Sequence, residues 1–308
     1  MRAAFVAALI EAAAADDRVL LLTGDLGYTV IEPFAERFPT RYLNVGVAEQ
    51  DLVGVATGLA ASGFVPFVYS IATFMSLRPY EFIRNGPIHH RLPVRIVAIG
   101  GGFEYGTAGH THHALEDLGL MRMQPGLTIV APADHRQAAT AISGTWRLPG
   151  PVYYRLGKDD RTEVARLDGH FQLGSADLLA DGPDVLLIGL GSITSEMMGA
   201  SEQLAERGIR STVLVVSSFN PSPTEDVAAQ LARHTTAITI EEHSVVGGLG
   251  TFVSEIIAER GLGCRLVRCG VKGIPTARSG ATSWLRAQHG LMAGQLAATA
   301  FDAVRPSA

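Results

Sequence analysis

Cysteine is nearly absent from these 308 residues, occurring only at Cys264 and Cys269. That spacing matches no zinc motif, and without a second pair a cysteine-bound structural metal is excluded. The two read as buried free thiols in a reducing compartment, so the expected location is cytoplasmic. Charge is sparse too: 18% of residues are charged against 47% hydrophobic, a balance that excludes a disordered chain. There is no basic run and the formal net charge is −5, which argues against nucleic acid as a partner. Small substrates or a protein partner fit better.

A clean leader or membrane span is also lacking. Met1 to Ala15 is apolar, but Glu11 interrupts it and Asp16-Asp17 follow, as in an amphipathic first helix. Leu52 to Leu77 carries no charge over a length that could cross a bilayer. Gly63 and Pro66 divide it, however, into an Ala/Gly-rich half and the β-rich Phe64–Tyr69. A buried helix followed by a buried strand is expected, with no membrane association.

What is present is an alternation of short apolar runs and helical segments. Arg18–Leu22, Tyr42–Val45, Val65–Tyr69, Pro93–Ile99, Leu127–Pro132 and Val152–Arg155 read as strands, with helices at Arg2–Ala15, Ile31–Phe38 and Gln50–Ser62. Continuous apolar runs bounded by turn residues indicate parallel sheets covered on both faces. Residues 158–182 are more polar and read as a linker with one short hairpin. Alternation then resumes with strands Asp184–Gly189, Ser211–Val216, Ala237–Ile240 and Arg265–Arg268, and helices Ser195–Arg207, Thr224–Arg233 and Gly250–Arg260. The expected architecture is therefore α/β, with two consecutive parallel-sheet domains at 1–157 and 183–308.

The stretch Asn44-Val45-Gly46-Val47-Ala48-Glu49-Gln50 sets one carboxylate among apolar neighbours. Burial penalises the charged form, so Glu49 is either a helix-start residue capping free N–H groups or a buried carboxyl kept neutral for chemistry. A second polar cluster runs from Phe103 to His113, with His110, His112 and His113 in a glycine-rich setting. Adjacent histidines point apart on a regular element and no HExxH spacing occurs, which favours an active-site loop over a metal site.

Together, Val45–Gln50, Ala72-Thr73-Phe74, Gly109-His110-Thr111-His112 and Tyr154-Arg155 resemble, in order and spacing, the C-terminal half of transketolase. Deoxyxylulose-phosphate synthase and the beta subunit of 2-oxoacid dehydrogenases are similar at a greater distance. The resemblance covers nearly the whole chain. It implies a thiamine-diphosphate-binding pyrimidine domain followed by a smaller, Rossmann-like C-terminal domain. Glu49 matches the carboxyl that hydrogen-bonds the aminopyrimidine and starts cofactor activation. Phe74 matches the stacking aromatic, Tyr80 a second pocket aromatic, and Asp25 an acidic residue of the first strand's loop. Leu77 stands where the family commonly has another aromatic. His112 matches the histidine that contacts sugar oxygens, with His113 beside it. Arg155 and Arg2 match arginines for a substrate phosphate, and Lys158 is a neighbouring cation. Core aromatics and surface arginines are the structural alternatives for these residues.

Two departures bear on the substrate. The family's acidic residue four positions before His112 is Ala108, and the histidine twelve positions before it is Gly100. Both changes imply a non-standard aldehyde or sugar acceptor. There is also no GDG followed by the Asn that binds Mg²⁺ and diphosphate in the family. The resemblance thus implies half of a cofactor site, with Mg²⁺ and the diphosphate held by a separate N-terminal transketolase subunit in an α2β2 assembly. The expected activity is transfer of a two-carbon ketol unit between a ketose donor and an aldehyde acceptor. Alternatives are a decarboxylating half-enzyme of the synthase or dehydrogenase kind, a non-catalytic regulatory subunit, and a nucleotide binder using Gly189–Ser192.

Overall fold

Aliphatic runs with no polar alternation become strands buried on both faces. The computed structural model describes residues 1–273 and 278–305; residues 274–277 and 306–308, inside the expected second domain, lie outside the described residues. The first sheet grows from helix α1 (Arg2–Ala15), β1 (Val19–Thr23), α2 (Glu32–Arg37), β2 (Tyr42–Asn44), α3 (Glu49–Ala61) and β3 (Val65–Ile71). It continues through α4 (Ala72–Leu77), α5 (Tyr80–Ile83), β4 (Arg95–Ile99), α6 (Asp117–Arg122), β5 (Thr128–Val130), α7 (His135–Thr145) and β6 (Val152–Leu156). Every residue of β4 and β6 is buried, as a parallel sheet covered on both sides requires.

The second sheet begins earlier than the sequence suggests. β7 (Ala176–Ala180) lies within the expected linker and pairs antiparallel with β9 (Ser211–Val216), beyond β8 (Val185–Leu190) and α8 (Thr194–Glu206). Val164 and Leu167 of the same stretch are buried in the second domain's core. Residues 158–182 thus add an edge strand and core side chains to the second sheet, and no hairpin forms there. β10 (Ser218–Asn220), α9 (Thr224–Arg233), β11 (Thr236–Ser244), α10 (Leu249–Arg260), β12 (Arg265–Val271), α11 (Thr282–Gln288) and α12 (Ala293–Val304) complete the chain.

Strand order is β10-β5-β6-β4-β3-β1-β2 in one sheet and β12-β11-β8-β9-β7 in the other. Each sheet is parallel except for one edge strand, β10 or β7. β10 comes from the second half of the chain yet pairs with β5 of the first sheet, so the two units share a strand. This is the expected parallel α/β class, in a mixed form. Among the described residues no helix is long and apolar enough to cross a membrane.

The topology singles out one crevice. From β1 the chain crosses to β2 on one side, whereas from the adjacent β3 it crosses to β4 on the other. Ligands in open α/β sheets collect at the carboxyl ends of strands where such a reversal occurs. Gly24, Ser70 and Glu49 all lie there.

Candidate active site

Glu49 is the first residue of α3, reached through a turn in which Gly46 has φ +77°. It starts a helix and is only 2% exposed, but no side chain caps the free N–H groups of that helix. Its surroundings are not apolar, contrary to expectation. Ser70 at the end of β3 donates its hydroxyl to Oε1 at 3.0 Å, and Arg78 donates Nη1 to Oε2 at 2.7 Å. Sequence neighbours misled here: Val47 points to solvent, and the groups that face Glu49 come from twenty or more residues downstream.

α4 follows β3 without a loop, so Phe74 falls at the mouth of the crevice. Arg78 lies four residues on, the spacing that stacks side chains on one helical face. Its guanidinium sits over the Phe74 ring, 4.0 Å from the centroid. His112 ends a 3-10 turn, His110–His112, and packs edge-on against Phe74 with centroids 5.0 Å apart. Glu49, Arg78, Phe74 and His112 thus form one continuous row. Among the expected site residues, Glu49, Phe74 and His112 are brought together.

The row extends through Tyr105, whose ring lies 6.4 Å from that of His112. Lys158 places its ammonium over the other side of the neighbourhood, 4.1 Å from the Tyr105 centroid, and donates to the Glu104 carbonyl at 3.2 Å. Burial and then the like charge of Arg2 lower the Lys158 pKa. Lys158 and Arg2 line a cavity of about 510 Å³ that is closed on the far side by Ser192, Glu196 and Arg286 of the second domain. The Arg2 Nε is buried there without a hydrogen-bond partner. Gly100 has φ +76°, and a side chain on it would collide with the Tyr105 ring. The tyrosine fills the space that the family's histidine would need.

Four expected site residues take other positions. Arg155 does not face the cavity: it is 5% exposed on β6 and ion-paired with Asp117 at 2.8 Å. Its Nη2 also donates to the carbonyls of Ala114 and Glu242, each at 3.0 Å, tying the first sheet to the second. Burial opposes the charge, but the Asp117 carboxylate more than offsets that, so the Arg155 pKa is raised. A strand covered on both faces buries whatever it carries, and Arg155 is a strut for that reason rather than a phosphate ligand. His113 turns away from His112 into the domain junction. It is 4% exposed, edge-on to Phe103, and both ring nitrogens lack partners. Burial, then the nearby His110, lower its pKa, so it stays neutral.

Tyr80 packs on the hydrophobic core, and its hydroxyl donates to the Leu120 carbonyl at 3.1 Å and accepts from Gln124. It braces α5 against α6. Asp25 sits at the rim with φ +58° and accepts hydrogen bonds from Asn44 and Tyr28, each at 2.8 Å. Those two bonds, that of Asn44 first, lower its pKa and pin the loop after β1. Among the described residues no three His, Cys, Asp or Glu side chains converge as a metal-binding set. Sequence reasoning missed Ser70, Arg78, Tyr105 and Asp117. The helical spacing from Phe74 could have found Arg78.

Residues 1–162 match the family described as transketolase, pyrimidine binding domain, and residues 174–296 match transketolase, C-terminal domain. The chain belongs to the transketolase family. It is 34% identical to one of the subunits of an apulose-4-phosphate transketolase from Phocaeicola vulgatus, over 99% of this chain and 97% of that one. It is 33% identical to a 6-deoxy-6-sulfo-D-fructose transketolase subunit from a Clostridium species, over 98% and 94% of the two chains. A solved split gene transketolase, described as an inactive beta4 tetramer, matches with TM-score 0.88 at 33% identity, covering 98% of this chain and 97% of that chain. Transketolase relatives thus share the whole two-sheet arrangement.

Proposed function

We propose that this chain is the C-terminal subunit of a two-component transketolase in the cytoplasm, with residues 1–157 binding the pyrimidine end of thiamine diphosphate. The observation that carries this reading is the buried Glu49 carboxylate facing the same slot as the Phe74 ring, with His112 at its edge. The slot fits a flat nitrogen heterocycle, because it already holds a flat N–H donor, the Arg78 guanidinium, against both groups. When bound there, thiamine diphosphate supplies the nucleophilic carbon and electron sink that cleave and re-form a bond beside a carbonyl. The Glu49 carboxyl holds a proton at the ring nitrogen, and Ser70 fixes its orientation. Phe74 sets the plane of the ring. His112 exchanges a proton with the substrate oxygen. Lys158 and Arg2 hold the anionic or hydroxylated end of the acceptor. Asp25 shapes the rim and Tyr80 braces the helices behind it, whereas Arg155 and His113 serve the junction between domains.

A partner chain supplies Mg²⁺ and the diphosphate pocket, in an α2β2 assembly that closes over the crevice. Two features support this. Tyr28, Leu43, Val47 and Leu77 leave apolar surface exposed around the mouth, and exposed apolar patches mark interaction sites. The related beta4 tetramer is described as inactive. Ala108, Gly100 and the overlying Tyr105 support a non-standard acceptor, in line with the substrates named for the two relatives.

Titration of thiamine diphosphate with Mg²⁺ into this chain, alone and mixed with the candidate partner, tests the proposal. Binding and two-carbon transfer are expected only in the mixture. Equal binding and full activity of the chain alone would overturn it.

A further inference from the structure

Glu49 is buried and ionically paired, yet its partner is not. The side chain of Arg78 is 43% exposed while that of Glu49 is 1% exposed. Arg78 also makes two contacts at once, the Nη1–Oε2 bond of 2.7 Å and the stack on Phe74 at 4.0 Å. These are the two recognition elements a protonated aminopyrimidine would use: an N–H aimed at the carboxylate and a flat, electron-poor face on the phenyl ring. A flat cation is attracted to the ring's negative face, and a carboxylate out of water needs a donor. One guanidinium meets both needs.

We propose that Arg78 is a placeholder for the aminopyrimidine, occupying its slot in the cofactor-free chain and leaving when the ring enters. This rests on the reading of Glu49 and Phe74 as the pyrimidine site. Two observations make the exchange feasible. Arg78 lies at the rim, beside exposed Leu77, so its side chain can swing into water without unpacking the core. Glu49 stays fixed throughout by Ser70, at 3.0 Å from its other oxygen. The guanidinium keeps the carboxylate satisfied and the phenyl face dry while no cofactor is present. It also competes with the cofactor, so the affinity observed is the intrinsic affinity reduced by the fraction of chains in which Arg78 is seated. The residue therefore sets a threshold for loading rather than taking part in the chemistry.

The test uses the cofactor-free reconstituted pair and the free aminopyrimidine fragment of thiamine as probe, with binding read by calorimetry or ligand-observed NMR. Removal of a competing, half-exposed guanidinium and its cation–π contact should tighten binding roughly five- to tenfold in Arg78→Ala. Arg78→Lys, which keeps the charge but not the flat face, should fall between the two. Thermal melts establish that each variant is folded. Fragment binding by Arg78→Ala that is absent, or no tighter than wild type, overturns the placeholder. Weaker binding also overturns it, and shows that Arg78 stays and contacts the ligand. A separate result bears on the underlying reading: if Glu49→Gln and Phe74→Ala leave fragment affinity unchanged in the Arg78→Ala chain, the slot is not the pyrimidine site at all.

Discussion

The mouth of the first sheet and the junction between the two sheets both bury carboxylates against arginines, but they close them differently. At the junction, Asp117 and Arg155 are 0% and 5% exposed, and Glu242 and Arg286 are 1% and 12% exposed. Further contacts hold the pairs: the Phe103 N–H donates to Glu242, Arg155 donates to two carbonyls, and the Tyr153 hydroxyl donates to Asp117. At the mouth, Glu49 has a fixed partner in Ser70 and a half-exposed one in Arg78. Charge enclosed between elements of both sheets, as at Arg155 and Asp117, holds domains together. Charge with one removable partner is available for a ligand.

Breaking the closed pair should have the largest effect on stability. Arg155→Ala strands the Asp117 carboxylate in the core, and loss of one partner of a buried pair costs about 3–5 kcal/mol. Arg155→Met combined with Asp117→Asn should cost clearly less than the sum of the two single changes, because the stranded charge is gone. By contrast Arg78→Ala should cost under about 1 kcal/mol, since water reaches the vacated rim. Urea denaturation of these variants and of Arg155→Met and Asp117→Asn singly decides this, and equal losses at the two places would erase the distinction.

Next in size is the substrate side. Lys158→Ala should raise KM for an anionic acceptor about tenfold with little change in kcat, as expected for a lost charge-assisted contact. A neutral acceptor should be indifferent. Steady-state kinetics of the reconstituted pair with both acceptor types reads the difference.

A pH effect comes from a fourth buried carboxylate, Glu241, which accepts N–H bonds from Leu249 and Gly250 at the start of α10. Burial raises its pKa from 4.5 to about 7, although those two bonds, Arg155 and Arg268 oppose the shift. The fold therefore binds this proton more tightly than the unfolded chain does. Stability should decline as pH rises from about 4.5 to about 7 and level off above. Glu241→Gln should flatten that decline in denaturation curves taken across the range, and an unchanged slope would assign it to another group.

Much of this arrangement is legible in the sequence. Most strands with apolar runs fall within a residue or two of their expected places, since doubly covered strands leave no room for polar punctuation, whereas β11 and β12 run on to Ser244 and Val271, past their expected ends at Ile240 and Arg268. β7 was not legible because an antiparallel edge strand half in solvent has no such run; its apolar stretch after Asp177 is only Leu178-Leu179-Ala180. β10 was hidden for a different reason, as three residues that cross into the other sheet leave no periodic trace. The motifs singled out Glu49, Phe74 and His112, and these three side chains lie together. Arg155 could not be placed by its motif, although its position in a buried strand held the answer. The partners of Glu49 lie on elements that the sequence does not bring together.

One measurement addresses the central claim most directly, that the Glu49 slot activates the cofactor. Two-carbon transfer by the reconstituted pair should be compared for wild type and Glu49→Gln at saturating thiamine diphosphate. The amide keeps the shape but cannot exchange the proton, so the rate should fall by about 10²–10⁴, with the folded chain and its assembly intact. A Glu49→Gln pair that turns over at the wild-type rate would contradict the account.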